Sequence, residues 1–99
     1  RLLTFLLQFP DHELAGNAQF WLGETSYTQG KYDSAIKEYD KVLEKYSKSP
    51  KAPAAMLKKG YAFIELGEKK SAQTTLRKLI TTYPKSDEAK MARDKLKSL

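Results

Sequence analysis

Apolar residues along this chain recur at spacings of three and four, and nothing alternates with period two. Ala35, Ile36, Tyr39, Val42, Leu43 and Tyr46 form the plainest stripe. They predict a helix that opens at Tyr32-Asp33-Ser34 and is stopped by Ser47-Lys48-Ser49-Pro50. Ahead of it, the segment from about Glu13 to Gln29 carries Phe20, Trp21 and Tyr27 with small Ala18 and Gly23 between them. Gly30 closes that helix through glycine's access to the left-handed conformation. The scheme then repeats as a helix from about Lys51 to Leu66, a turn at Gly67 and a helix from about Lys70 to Thr82. Pro50 and Pro53 suit the opening turn of the first of these, where a missing N–H costs little. Ser86, followed by Asp87 and Glu88, predicts an N-cap and early acids for a last helix reaching about Ser98.

Self-comparison explains the pattern. A shift of 37 residues superposes Ala18 on Ala55, Gly23 on Gly60, Gly30 on Gly67, Ser34-Ala35 on Ser71-Ala72, Tyr46 on Tyr83 and Ala52 on Ala89. The same shift backwards lays Phe9-Pro10 on Tyr46-Ser47 and Leu6 on Leu43. The expected organisation is all-α, one domain over residues 1–99. Residues 1–9 form the second helix of a truncated repeat, 12–47 and 50–84 two full helical hairpins, and 86–98 a capping helix. The small pairs Gly23/Ala35 and Gly60/Ala72 are expected at the crossings of paired helices, flanked by Tyr39, Val42, Leu76 and Leu79. One hairpin cannot bury its own apolar face, so hairpins stack into a solenoid. Arg1 without a preceding Met is read as the start of an excised or processed fragment. Its missing partner helix is expected to leave Leu2, Phe5 and Leu6 exposed.

Composition narrows the function. Hydrophobic residues make up 40% and charged residues 30%, as in a globular domain, and the absence of cysteine excludes disulfides, thiol nucleophiles and thiolate metal sites. The 18 basic and 12 acidic residues are unevenly placed, with 17 of the basic ones after residue 30. Lys37, Lys41 and Lys45 recur among Asp33, Asp40 and Glu44, the arrangement of a solvated helix face. Aromatic residues do not interleave with these clusters, so nucleic acid is not an expected partner. No apolar run is long enough to span a membrane.

Catalytic signals are missing from the sequence. His12, the single histidine, falls in the linker after Phe9-Pro10, and no phosphate loop or nucleophile motif is present. Acid pairs such as Asp87-Glu88 and Asp11/Glu13 sit where helix starts favour them. The expectation is a non-enzymatic protein with no catalytic residues, no metal and no cofactor.

Leu22-Gly23, Ala35 with Tyr39, and Gly60, Phe63, Ala72, Leu76 and Pro84 resemble the tetratricopeptide repeat (TPR) pattern. Gln19 and Met56 replace its tryptophan, Ser26 its first tyrosine and Lys59 its second leucine. A narrower resemblance covers most of the chain. It is carried by Asn17 through Glu24 with Tyr27, Gly30 and Tyr32, by Lys51 through Lys58, and by Tyr83-Pro84 through Ala89-Lys90, Ala92 and Leu96. These runs resemble the C-terminal TPR domains of the YbgF/CpoB family, periplasmic proteins associated with the Tol–Pal system. Lys59 and Ser47 depart from that family's residues.

The resemblance implies a periplasmic interaction module that binds TolA through a helical segment. It extends to a peptidoglycan synthase as partner, and to coordination of outer-membrane constriction with peptidoglycan synthesis at division. An upstream coiled coil would supply oligomerisation. The first helix of each TPR hairpin lines a concave groove, which places Asn17, Phe20, Trp21, Glu24, Tyr27 and Thr28 on it, followed by Ala54, Leu57, Lys58, Tyr61, Ile64 and Glu65. Phe20 and Leu57 have a second reading as packing between hairpins, and Trp21 as a cover for the first helix. A clamp for a C-terminal carboxylate does not fit, because Phe20, Glu24, Leu57 and Tyr61 occupy its slots. Two other functions share this architecture: a scaffold in an outer-membrane-protein assembly lipoprotein, and a self-association module.

Overall fold

The computed structural model describes residues 1–99, which form six helices and no strand. They are α1 (Leu2–Gln8), α2 (Ala15–Thr28), α3 (Tyr32–Lys45), α4 (Ala52–Glu65), α5 (Lys69–Thr82) and α6 (Asp87–Lys97). Each helix packs on the next. In addition α2 touches α4 and α4 touches α6, whereas no two of α1, α3 and α5 touch. Close stacking of the even-numbered helices and splaying of the odd-numbered ones curve the array, with α2, α4 and α6 on the inner side. The molecule is a slab 41 × 29 × 16 Å, its short dimension two helices deep.

Helix ends follow from local chemistry. Gly30 and Gly67 adopt φ of +76° and +77°, and both close a Schellman motif. In the first, the N–H groups of Gly30 and Lys31 bond the carbonyls of Tyr27 and Ser26; Gly67 and Glu68 do the same to Ile64 and Phe63. Ser86 caps α6, its hydroxyl accepting from the Ala89 N–H at 3.0 Å. Pro53 lies in the first turn of α4, but Pro50 sits in the turn before it, ahead of the N-cap Lys51.

Three apolar clusters run along the slab. Phe20, Ala35, Tyr39, Val42, Ala52 and Ala55 fill the first full hairpin and its junction with α4. Met56, Leu57, Leu76, Leu79 and Ala92 fill the second. Leu6, Ala15 and Ala18 join α1 to α2, with Leu22 against them. Leu6 is therefore buried rather than exposed; α1 leaves Leu2, Leu3 and Leu7 in solvent, with Phe9 beyond its end. Leu22, not Trp21, covers α1. Gly23 meets the ring of Tyr39 rather than Ala35, and Gly60 meets Leu76 in the same way, so these two large side chains occupy the crossings.

The residues that break the repeat pattern have partners. Gln19, in the tryptophan slot, is buried and donates from Nε2 to the Glu38 carboxylate at 2.6 Å and to its carbonyl at 3.1 Å. The 37-residue shift turns this pair into Met56 and Thr75, both buried. Lys59, in the leucine slot, makes an ion pair of 2.6 Å with Asp40 of α3. One bond recurs intact: the Tyr46 hydroxyl donates to the Pro10 carbonyl (2.8 Å) and the Tyr83 hydroxyl to that of Ser47 (3.2 Å).

Candidate groove on the inner helices

Alanines and glycines set this face. Ala15, Ala18, Ala52, Ala55, Ala89 and Ala92 are buried at equivalent positions of α2, α4 and α6, which brings the three helices together and turns their larger residues towards the hollow side. Of the residues expected there, Trp21 is the most exposed ring, 47% accessible. Its edge meets Phe20 at 5.3 Å between centroids, and Lys51 Nζ stands 5.4 Å from both rings. Thr28 and Glu65 are exposed, while Asn17, Glu24, Tyr27, Ala54, Lys58, Tyr61 and Ile64 are half-buried.

Phe20 and Leu57 do not belong to the groove. They are 5% and 4% exposed and pack between hairpins, Phe20 against Tyr39 at 5.9 Å and Leu57 in the cluster of Leu76 and Leu79. An inner helix has neighbours on three sides, so the side chain one position before Trp21 already points into the stack.

Glu24 is a hub rather than a free acid. It accepts a hydrogen bond from the fully buried Tyr39 hydroxyl, and its carboxylate lies 3.7 Å from Lys58 Nζ. That ammonium also lies 4.0 Å from the centre of the Tyr27 ring, close enough for a cation–π contact. One helix further on, Lys95 Nζ stands 5.3 Å from the Tyr61 ring. The inner face is thus a row of rings, each with a lysine over it. Lys58 has Glu24 as its anion, whereas Lys51 and Lys95 make no ion pair.

The phenols respond to this setting. Burial raises Tyr39 far above the ordinary phenol range, with the hydrogen bond to the Glu24 carboxylate and its charge adding to it. Burial also raises Tyr27, helped by the charges of Glu65 and Glu24 and by Tyr32 and Tyr61, and it raises Tyr61.

Lys51, Lys95 and Met91 were not among the expected groove residues. Met91 is 48% exposed and shares a hollow with Tyr61, Asp94, Lys95 and Ser98. The signal for the α6 pair lay in the repeat: the same 37-residue step carries Ala54 to Met91 and Lys58 to Lys95. Reading residues 86–98 as a cap stopped the step one helix early.

The largest hollow, about 730 Å³, lies at the start of α2, where Asn17 borders it together with His12, Glu13, Gly16, Lys45, Tyr46 and Ser49. His12 Nδ1 accepts from the Leu14 N–H at 3.0 Å in the turn before α2, and its ring meets Phe5 at 5.3 Å. No set of histidine and carboxylate side chains converges as a metal-ligand group, and no helix is long and apolar enough to cross a membrane.

Two tetratricopeptide repeat family models match the chain, one over residues 26–96 and the other over residues 1–50. A search of curated proteins finds no match. The six-helix array, its paired hairpins and these two matches identify the chain as a member of the tetratricopeptide repeat family, whose repeats are protein–protein interaction modules.

Proposed function

We propose that the inner face of α2, α4 and α6 holds a protein segment, and that the partner is the periplasmic protein TolA. The observation that carries the groove is Trp21, a large ring half in solvent beside the unpaired Lys51, continuous with the Tyr27–Lys58 and Tyr61–Lys95 contacts. Exposed rings next to polar groups act as anchors in peptide recognition, because they release much apolar area while ordering few torsions. The partner, the periplasmic location and the role in coordinating envelope constriction with peptidoglycan synthesis rest on the residue resemblance to the YbgF/CpoB domains.

Trp21 is the single tryptophan, so its fluorescence reports occupancy of the groove. Titration with the soluble periplasmic region of TolA should give a saturable change. Calorimetry should then show affinity reduced at least tenfold by Trp21→Ala and by the pair Lys51→Glu/Lys95→Glu. Saturable binding insensitive to these variants would move the site elsewhere. Absence of binding with the fold intact would reject TolA and favour the scaffold of an outer-membrane-protein assembly lipoprotein.

A further inference from the structure

The outer side carries one cleft twice. Each copy lies between successive outer helices, above the inner helix that separates them. The α1–α3 cleft has Leu3 and Leu7 on one wall, Leu22 on its floor, and Lys41 and Lys45 on the other wall, where Glu38 is held by Gln19. The 37-residue shift carries these to Asp40, Glu44, Lys59, Lys78 and Thr82, all of which line the α3–α5 cleft.

Their chemistry differs. In the α3–α5 cleft the wall is acidic, and the Asp40–Lys59 ion pair closes it as a solvated polar surface. The α1–α3 cleft instead has leucines at every one of those three positions, with Leu3 58% and Leu7 75% exposed. A preceding hairpin would not cover them. The helix that pairs with an outer helix within a hairpin buries the positions of Tyr39 and Val42, which correspond to Leu2 and Phe5. Leu3 and Leu7 correspond to Asp40 and Glu44, of which one is half-buried and the other exposed although α3 has inner helices on both sides. The leucines therefore stand at positions that face solvent in a complete repeat.

We propose that the α1–α3 cleft docks an amphipathic helix whose apolar ridge is flanked by carboxylates. Leu3 and Leu7 stand one turn apart on α1, as do Lys41 and Lys45 on α3, so an apolar ridge faces a pair of lysines at matching pitch, with a single carboxylate, Glu38, beside them. The cleft volume, about 200 Å³, admits side chains but not a helix 10–12 Å across, so the partner helix rides over it and inserts residues between the ridges. Lys45 makes no ion pair, and Lys41 meets only Glu38 of its own helix at 3.6 Å, with its side chain 56% exposed. Carboxylates beside the inserted ridge complete both lysines. The leucines supply affinity and the lysines select charge and orientation.

The test uses synthetic helical peptides of equal apolar ridge, one with glutamates and one with lysines on its flanks. Binding is followed by calorimetry and by backbone amide shifts of the whole chain. The acidic peptide should bind, with shifts centred on Leu3, Leu7, Leu22, Lys41 and Lys45 and none across the α3–α5 cleft. Leu3→Asp/Leu7→Glu installs the residues of the second cleft, keeps the melting temperature because both sites are exposed, and should lower affinity at least tenfold. Lys41→Glu/Lys45→Glu should reverse the preference to the lysine-flanked peptide. The proposal is overturned if the acidic peptide does not bind, if both peptides bind the unmodified protein equally, or if Leu3→Asp/Leu7→Glu binds undiminished. A concentration-dependent dimer dispersed by that same pair would also overturn it, making a second copy the occupant.

Discussion

An alanine at Gly23 would place its Cβ 2.6 Å from Cδ1 of Tyr39 and closer still to Cε1. The ring has little freedom to yield. It is fully buried against Phe20, Ala35 and Val42, and its hydroxyl is held by the Glu24 carboxylate. At the equivalent Gly60 the added methyl meets the Leu76 side chain, at 2.6 Å from Cδ2 and 3.0 Å from Cγ, and a leucine can change rotamer. Both substitutions gain about 1 kcal/mol of helix propensity. Overpacking costs about 1–3 kcal/mol, with the rigid ring at the upper end. Gly23→Ala should therefore lose about 2 kcal/mol net, a fall of roughly 10 °C in Tm. Gly60→Ala should stay within about 1 kcal/mol of the parent. Urea unfolding followed by far-ultraviolet circular dichroism measures both. Tyr39→Leu alone copies the second repeat's Gly60–Leu76 pairing; Gly23→Ala added to it should cost less than in the parent, and the cycle should show a favourable coupling of about 1–2 kcal/mol. Equal tolerance at Gly23 and Gly60, or additive single effects, would refute the rigid-ring explanation.

Three further outcomes follow from the geometry. Tyr46→Phe and Tyr83→Phe each remove a bond that ties one repeat to the loop before it. Each should cost about 0.5–1 kcal/mol in urea titrations, the 2.8 Å bond of Tyr46 more than the 3.2 Å bond of Tyr83. Ser86→Ala should cost about 1 kcal/mol, with amide exchange accelerated first in α6. Because Tyr27, Tyr39 and Tyr61 are raised in the fold, the unfolded chain gives up those protons first as pH rises. Their stabilising contribution is complete below the ordinary phenol value near 10 and is lost above it, so stability should decline from about pH 10 upward. Tyr39→Phe should reduce that slope; an unchanged slope would remove Tyr39 from the explanation.

The outer helices were the legible part of the sequence. α3 buries only Ala35, Tyr39 and Val42, one narrow stripe, so its period of three and four stands out against lysines and acids. Gly30, Gly67 and Ser86 identified helix ends because positive φ and hydroxyl capping are local requirements. The inner helices were harder. α2 packs against α1, α3 and α4 at once and buries Ala15, Gly16, Ala18, Gln19, Phe20 and Gly23, which encircle much of its surface. No periodicity then separates the face towards the next hairpin from the face towards the groove, so the sequence leaves Phe20 with both readings and the fold selects packing between hairpins. Gly16 was unreadable for another reason. A Cβ there would stand 2.6 Å from Cβ of Ser49, a contact made by a loop 33 residues later in the chain. Lys59 stands out in a repeat alignment, and only the fold shows that Asp40 is waiting for it.

The central claim is that the inner face of α2, α4 and α6 is where a protein partner binds. Backbone amide shifts, recorded while the soluble periplasmic region of TolA is added to the whole chain, test it most directly. The account predicts saturable shifts along Trp21, Lys51, Lys58, Tyr61, Met91 and Lys95, with Phe20 and Leu57 moving only as neighbours. Saturable shifts confined to α3 and α5, with the inner helices silent, would contradict it.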